Sequence, residues 1–250
     1  MNKKTIIDAR AFEILDSRGN PTVYARVSLQ DGCFGYASVP SGASTSSKEA
    51  MELRDEDYSR FHGKGVLKAV SNINDRIAPV IMGLDCLDQN EIDSTLIELD
   101  GTPSKKNLGA NAILAVSLAV AHASAASQGI EAYERFGQLS GIDSPCVLPM
   151  PMFNVLNGGA HASGSTDFQE FMLVPTGITD YPSALRAGSE IYAILHDILA
   201  YDGLTTMVGD EGGFAPAGLT TRNALDYVAR AIEASGYVLG DQIGIALDPA

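Results

Sequence analysis

Three observations predict an α+β domain followed by the start of an α/β sheet. Residues 5 to 39 read as three short strands with a hairpin signal between the last two. Helical patterns then fill the chain to about residue 140. Beyond Gly141-Ile142-Asp143-Ser144-Pro145 the pattern turns to apolar strands, glycine- and hydroxyl-rich loops and two further helices. The expected division is therefore 1–140 and 141–250.

In the first part, Ile6, Ile7, Phe12, Ile14 and Leu15 lead to a turn at Asp16-Ser17-Arg18-Gly19-Asn20-Pro21. Val23, Ala25, Val27 and Leu29 alternate with period two, as in a strand buried on one face. Asp31-Gly32 marks a hairpin, and Cys33 to Val39 is the third strand. The segment Val39 to Asp55 opens as a loop of proline, glycine and hydroxyl side chains. Lys48 to Arg54 then suits a helix capped by Ser47. Val66, Val70, Ile73 and Ile77 predict a helix that stops at Pro79, and Ile92, Leu96 and Leu99 one that stops at Asp100-Gly101. Leu108 to Gln128 carries little charge on any side. Its Asn, Ser and His residues favour a packed helix over a membrane span.

In the second part, Cys146 to Val155 and Phe168 to Val174 are expected strands around a loop at Asn157–Thr166. Tyr181 to Ala200 and Thr221 to Ser235 are helices, and Ile243 to Leu247 is a strand ending in Asp248. This β-β-α-α-β order suits a barrel or a doubly wound sheet. A complete eight-stranded barrel takes roughly 250 residues, against about 105 in this second part, so the chain is expected to be part of a longer protein.

A net charge of −14 argues against nucleic acid as the main partner. No apolar run reads as a membrane span or signal peptide. Cys33, Cys86 and Cys146 form neither a disulfide framework nor a zinc cluster, which suits a reducing cytoplasm.

Candidate chemistry lies in Ser41/Ser44, His161, Gln169-Glu170, Gly209-Asp210-Glu211-Gly212-Gly213 and Asp248. Oxygen ligands at strand ends point to Mg²⁺ rather than Zn²⁺. Each has a plainer reading by itself: Asp248 as a helix cap, Glu170 as a strand-edge charge, Asp210-Glu211 as a solvated turn, and His161 as an exposed histidine.

Taken together, these strings resemble the enolase family. The match includes Asp-Ser-Arg-Gly-Asn-Pro-Thr-Val (16–23), Val-Pro-Ser-Gly-Ala-Ser-Thr (39–45), Glu-Leu-Arg-Asp (52–55) and Gly-Lys-Gly-Val (63–66). Leu-Asp-Gly-Thr (99–102) and Leu-Gly-Ala-Asn-Ala-Ile-Leu (108–114) extend it. Pro-Met-Phe-Asn-Val-Leu-Asn-Gly-Gly (151–159), Gln-Glu-Phe-Met (169–172), Val-Gly-Asp-Glu-Gly-Gly (208–213) and Leu-Asp (247–248) complete it. The resemblance implies an α+β domain followed by a TIM-like barrel that begins β-β-α-α. It also implies a homodimer that dehydrates 2-phosphoglycerate to phosphoenolpyruvate with two Mg²⁺ ions. By the same resemblance Glu211 is the acid, and Gln169 and Glu170 lie at the substrate and its leaving hydroxyl. His161 rides on a mobile loop, Asp248 ligates the tighter Mg²⁺, and Ser44 binds the second as a lid shuts. The lysine base, the other metal carboxylates and the phosphate-holding pair of the family lie beyond the matched positions, so the 250 residues alone are expected to be inactive. An enolase-like scaffold without turnover, or another acid-sugar dehydratase of the wider superfamily, is the alternative.

The sequence departs from the family pattern in three ways. Ser46 stands where glycine is usual, which would strain a backbone with positive φ. Ala-Ser-Gly-Ser follows His161 where bacterial members commonly have Ala-Asp-Asn-Asn. Phe12 and Tyr24 replace an arginine and a glutamate that the resemblance places in ion pairs across the dimer. This is drift at a tolerant surface or an aromatic substitute for ionic anchors.

Overall fold

The computed structural model describes residues 4–42, 46, 48–141, 147–209 and 211–249. The chain divides into two compact units, Met1–Cys146 and Val147–Ala250, each with its own hydrophobic core.

The first unit is built on the expected meander. Strand β1 (Ile6–Leu15) pairs antiparallel with β2 (Pro21–Leu29), and β2 with β3 (Phe34–Ser38). The first turn forms because Asp16 accepts from the backbone amides of Arg18 and Asn20, each at 2.8 Å. Alternation buries Ala9, Ala11, Val23, Ala25, Val27 and Ala37 on one face, where helix α4 (Ala110–Gln128) packs against β2 and β3. The alanine content of α4 now has a cause: small side chains let helix and sheet approach closely. Gly35 of β3 sits so near that an added Cβ would lie 2.1 Å from the amide nitrogen of Ala123. By length and composition α4 could cross a membrane, yet its buried residues belong to this core.

Two local expectations need correction. Residues 48–54 form no helix among the described residues. The Asn111 side chain bonds both the N–H and the C=O of Leu53, at 3.1 Å each. The Met51 amide donates to Ser104 and its carbonyl accepts from Ala110. Backbone groups engaged sideways are lost to an i→i−4 ladder. Ser47 lies outside the described residues. Ser46 is held by two local hydrogen bonds. Its amide bonds Glu49 Oε1 and its hydroxyl accepts from the Lys48 amide.

The helix at Val66–Ile77 does not stop at Pro79. Helix α1 (Leu67–Ser71) runs through a π-helical stretch (Asn72–Ile77) into α2 (Ala78–Ile81). The Ala78 amide reaches five residues back to Ile73, and the proline falls in the first turn of α2, where its missing N–H costs little. This carries Ile81 into the core. Helix α3 (Gln89–Asp100) ends on Gly101 in the left-handed region, as expected. Helix α5 (Ala132–Ser140), not foreseen, completes the unit.

In the second unit β4 (Phe153–Asn157), β5 (Glu170–Val174) and β6 (Gly244–Asp248) form one antiparallel sheet in that order. Helices α6 (Tyr181–Tyr201) and α7 (Thr221–Ala234) bury Ala187, Ile191, Leu195, Val228 and Ile232 in the same core as Val155, Phe171 and Leu173. The β-β-α-α-β order is as read from the sequence; no closed barrel is present among the described residues. Strand β4 begins later than expected. Pro149 and Pro151 remove amide donors from the preceding stretch, where Val147, Leu148, Met150 and Met152 are exposed. The side chains of β6 are half-buried or exposed rather than fully buried.

Candidate active site

The antiparallel sheet brings together groups far apart in the chain. Because β5 runs opposite to its neighbours, its first residue lies at the edge where β4 and β6 end. Glu170 is therefore level with Asn157 on one side and Asp248 on the other. The Gln169 amide donates to the Asp248 carbonyl at 2.9 Å and fixes that row.

Asn157 joins the row to two loops. It is fully buried; its Oδ1 accepts from the Gly213 amide at 2.9 Å and its Nδ2 donates to the Gln169 carbonyl at 3.3 Å. The loop from Gly158 folds back at once, with the Gly158 amide on Gln169 O and the Gly159 amide on Thr166 O. Only glycine fits at 158, since a Cβ would meet the carbonyl oxygens of Thr166 and Phe168 at 2.3 and 2.4 Å. A short 3₁₀ turn, Gly159–His161, then presents the imidazole. The second loop returns through Gly209–Gly213. Phe214 anchors it on Val155 and Asn157, and Tyr192 of α6 donates to Gly212 O at 2.8 Å. The Tyr192 ring stacks on Phe214, with centroids 4.4 Å apart.

These two loops set His161 between two carboxylates. Its Nδ1 is 3.4 Å from Glu170 Oε1 and 3.7 Å from Glu211 Oε2. The His161 side chain is 4% exposed, that of Glu170 15% and that of Glu211 42%, so the cluster runs from the interior to solvent. His161 is thus no exposed loop histidine; it stands buried against two carboxylates. Nδ1 is buried without a hydrogen-bond partner, which leaves it open to a ligand or a transferred proton. Burial, then the hydrogen bond and like charge of Glu211 and the charge of Asp248, raise the Glu170 carboxyl above its ordinary value; His161 opposes them more weakly. Glu170 thereby retains a proton more readily than a solvated glutamate.

Of the residues singled out in the sequence, His161, Gln169, Glu170, Glu211 and Asp248 meet in this one region. Gln169 is buried, and Asp248 half-buried. Ser44 and Asp210 lie outside the described residues. Ser41 belongs to the other unit, where its hydroxyl bonds Glu52 and accepts from Arg54. The sequence reading missed Asn157 and Tyr192. A polar residue between an apolar run and Gly-Gly was a usable signal for Asn157; nothing in the sequence distinguished Tyr192.

The chain is thus an α+β unit followed by a unit whose sheet gathers a buried histidine and carboxylates at one edge. Residues 6–136 match the family description "Enolase, N-terminal domain", and residues 145–250 match "Enolase, C-terminal TIM barrel domain". The chain belongs to the enolase family.

Proposed function

We propose that this protein dehydrates 2-phospho-D-glycerate reversibly to phosphoenolpyruvate, with Mg²⁺, and that the His161–Glu170–Glu211 cluster is the acid end of its site. The supporting observation is the buried histidine flanked by two carboxylates, one of which has its proton affinity raised. Elimination of water from such a substrate removes a proton beside a carboxylate and expels a hydroxide from the neighbouring carbon. Hydroxide leaves only if protonated as it goes. Glu211, on the solvent side of the cluster with Oε2 3.7 Å from His161 Nδ1, is the group we assign to supply that proton. Glu170, beside it, has its proton affinity raised by burial and by Glu211, and His161 lies buried on the inner side of the pair.

The residues fit a divalent cation. Glu170, Glu211 and Asp248 crowd one region, and their mutual repulsion is already expressed in Glu170. Asp248, at the end of β6, would hold the ion by a carboxylate oxygen, as Mg²⁺ prefers. When bound, Mg²⁺ supplies positive charge to the substrate carboxylate as that group gains electron density. The sequence contains no lysine after Lys106, so none follows β4 to act as base in this unit. A polypeptide of these 250 residues should therefore not turn over. The natural protein should raise ultraviolet absorbance as phosphoenolpyruvate forms from 2-phosphoglycerate and Mg²⁺. No rise from the natural protein, or a rise from the 250-residue polypeptide, would overturn the reading. Free thiols at Cys33 and Cys86 support a cytoplasmic setting. The homodimer belongs to the same proposal, with Phe12, Tyr24 and Tyr36 at its contact.

A further inference from the structure

We propose that the hydroxyls of Thr166 and Thr221, with the backbone bond between Gly164 and Gly218, form a clasp that fixes the His161 loop on helix α7. Thr166 and Thr221 are then positioning residues for the acid end of the site, a role that rests on the reading of that site given above. The loop of residues 158–166 closes on itself at its base, where the Gly159 amide donates to the Thr166 carbonyl at 2.7 Å. Thr166 is buried, and its hydroxyl shares a hydrogen bond with that of Thr221 at 3.2 Å. At the tip, the Gly164 carbonyl accepts from the Gly218 amide at 2.9 Å. Base and tip are thus tied to one short stretch, residues 218–221, and His161 is carried between the two ties.

Two features of the sequence serve this clasp. The first is the pair Thr220-Thr221 at the start of α7. Thr220 caps the helix, accepting from the Asn223 amide at 3.2 Å and donating to Asn223 Oδ1 at 2.6 Å. That leaves the Thr221 hydroxyl for the loop. The second is Gly164, in the run Ala162-Ser163-Gly164-Ser165 that departs from the family pattern. Its φ of +83° is a glycine conformation, and an added Cβ would meet nothing within 4 Å. Glycine is there for the backbone turn that aims its carbonyl at Gly218, not for want of space. A buried hydroxyl that loses its partner is costly, so the two threonines act as a unit. Releasing either tie frees the loop to turn the imidazole away from Glu170 and Glu211.

The test is amide hydrogen exchange in the natural protein, read at His161 and Gly218 and compared with the amides of β5. The His161 amide donates to Gly158 and the Gly218 amide to Gly164, so both report opening of the loop. Thr166→Val should speed their exchange by roughly 3–10-fold, the worth of one lost hydrogen bond, and leave the β5 amides unchanged. Thr166→Ser, which keeps the hydroxyl, should stay near the parent rates. Thr221→Val should match Thr166→Val. Thr221 is partly exposed, so its variant keeps the test valid if the buried one fails to fold. In turnover of 2-phosphoglycerate, Thr221→Val should lower kcat at least roughly threefold, because a displaced group near the reacting atoms costs rate steeply. Parent exchange rates in Thr221→Val, equal acceleration of the β5 amides, Thr166→Ser exchanging as fast as Thr166→Val, or an undiminished kcat would overturn the proposal. Failure of the dehydration reading would appear instead as absent turnover in the parent as well, and would leave the exchange comparison intact.

Discussion

At the scale of single residues, the cluster makes a prediction in which the sign of the pH effect is definite. A carboxyl whose folded-state proton affinity is raised costs nothing when both states are protonated. It destabilises the fold once pH exceeds the unfolded value, about 4.3, and the penalty grows until the folded group also ionises. Glu170→Gln should therefore raise the melting temperature at pH 8, and the gain should vanish below about pH 4. A lower melting temperature for the variant at pH 8 would show that the cluster is not under like-charge strain. Asn157 makes the opposite case. Removing its side chain leaves the buried Gly213 amide without an acceptor and opens a small void. Asn157→Ala should cost about 2–3 kcal/mol in urea unfolding of the second unit. The charged residues were legible in the sequence because they interrupt apolar or glycine-rich strings. Asn157 and Tyr192 were less so because they work through backbone groups, and a partner's main chain leaves no trace in its sequence.

At the scale of elements, regular alternation carried further than local propensity. The meander and α3, α4, α6 and α7 were legible from period and caps. Residues 48–54 were not, because the Asn111 side chain and the α4 entrance claim their backbone. The stop at Pro79 failed because a π-helical stretch passes the missing donor. The tightest element contact is Gly35 on α4, where a methyl group would overlap main-chain atoms of Ala119 and Ala123. Gly35→Ala should cost at least ~3 kcal/mol, beyond ordinary overpacking, since backbone cannot yield as a side chain can. A loss under about 1 kcal/mol by the same urea measurement would mean that helix and sheet are not in such close register.

At the scale of the whole molecule, the outer face of the first sheet bears on assembly. Phe12 pairs with Tyr24 across the β1–β2 register, and Tyr24 stacks on Tyr36 at 5.8 Å. Phe12 and Tyr36 are more than half exposed. Arg26 lies over the Phe34 ring at 4.1 Å on the same face. If this aromatic row is the dimer contact proposed above, added salt should not dissociate the natural protein in sedimentation. Salt-induced dissociation would restore an ionic interface. The two units have separate cores, and the assembly of the His161–Glu170–Glu211 cluster from three segments of the second was not readable in the sequence. It depends on β5 running against β4 and β6, a pairing that no local signal encodes.

The most direct test of the acid assignment is the initial rate of phosphoenolpyruvate formation by the natural protein and its Glu211→Gln variant at saturating Mg²⁺. A general acid is worth about 10²–10⁴-fold, so the variant should lose at least roughly a hundredfold in kcat. Undiminished turnover in Glu211→Gln would contradict the role of the His161–Glu170–Glu211 cluster as the acid end of the site.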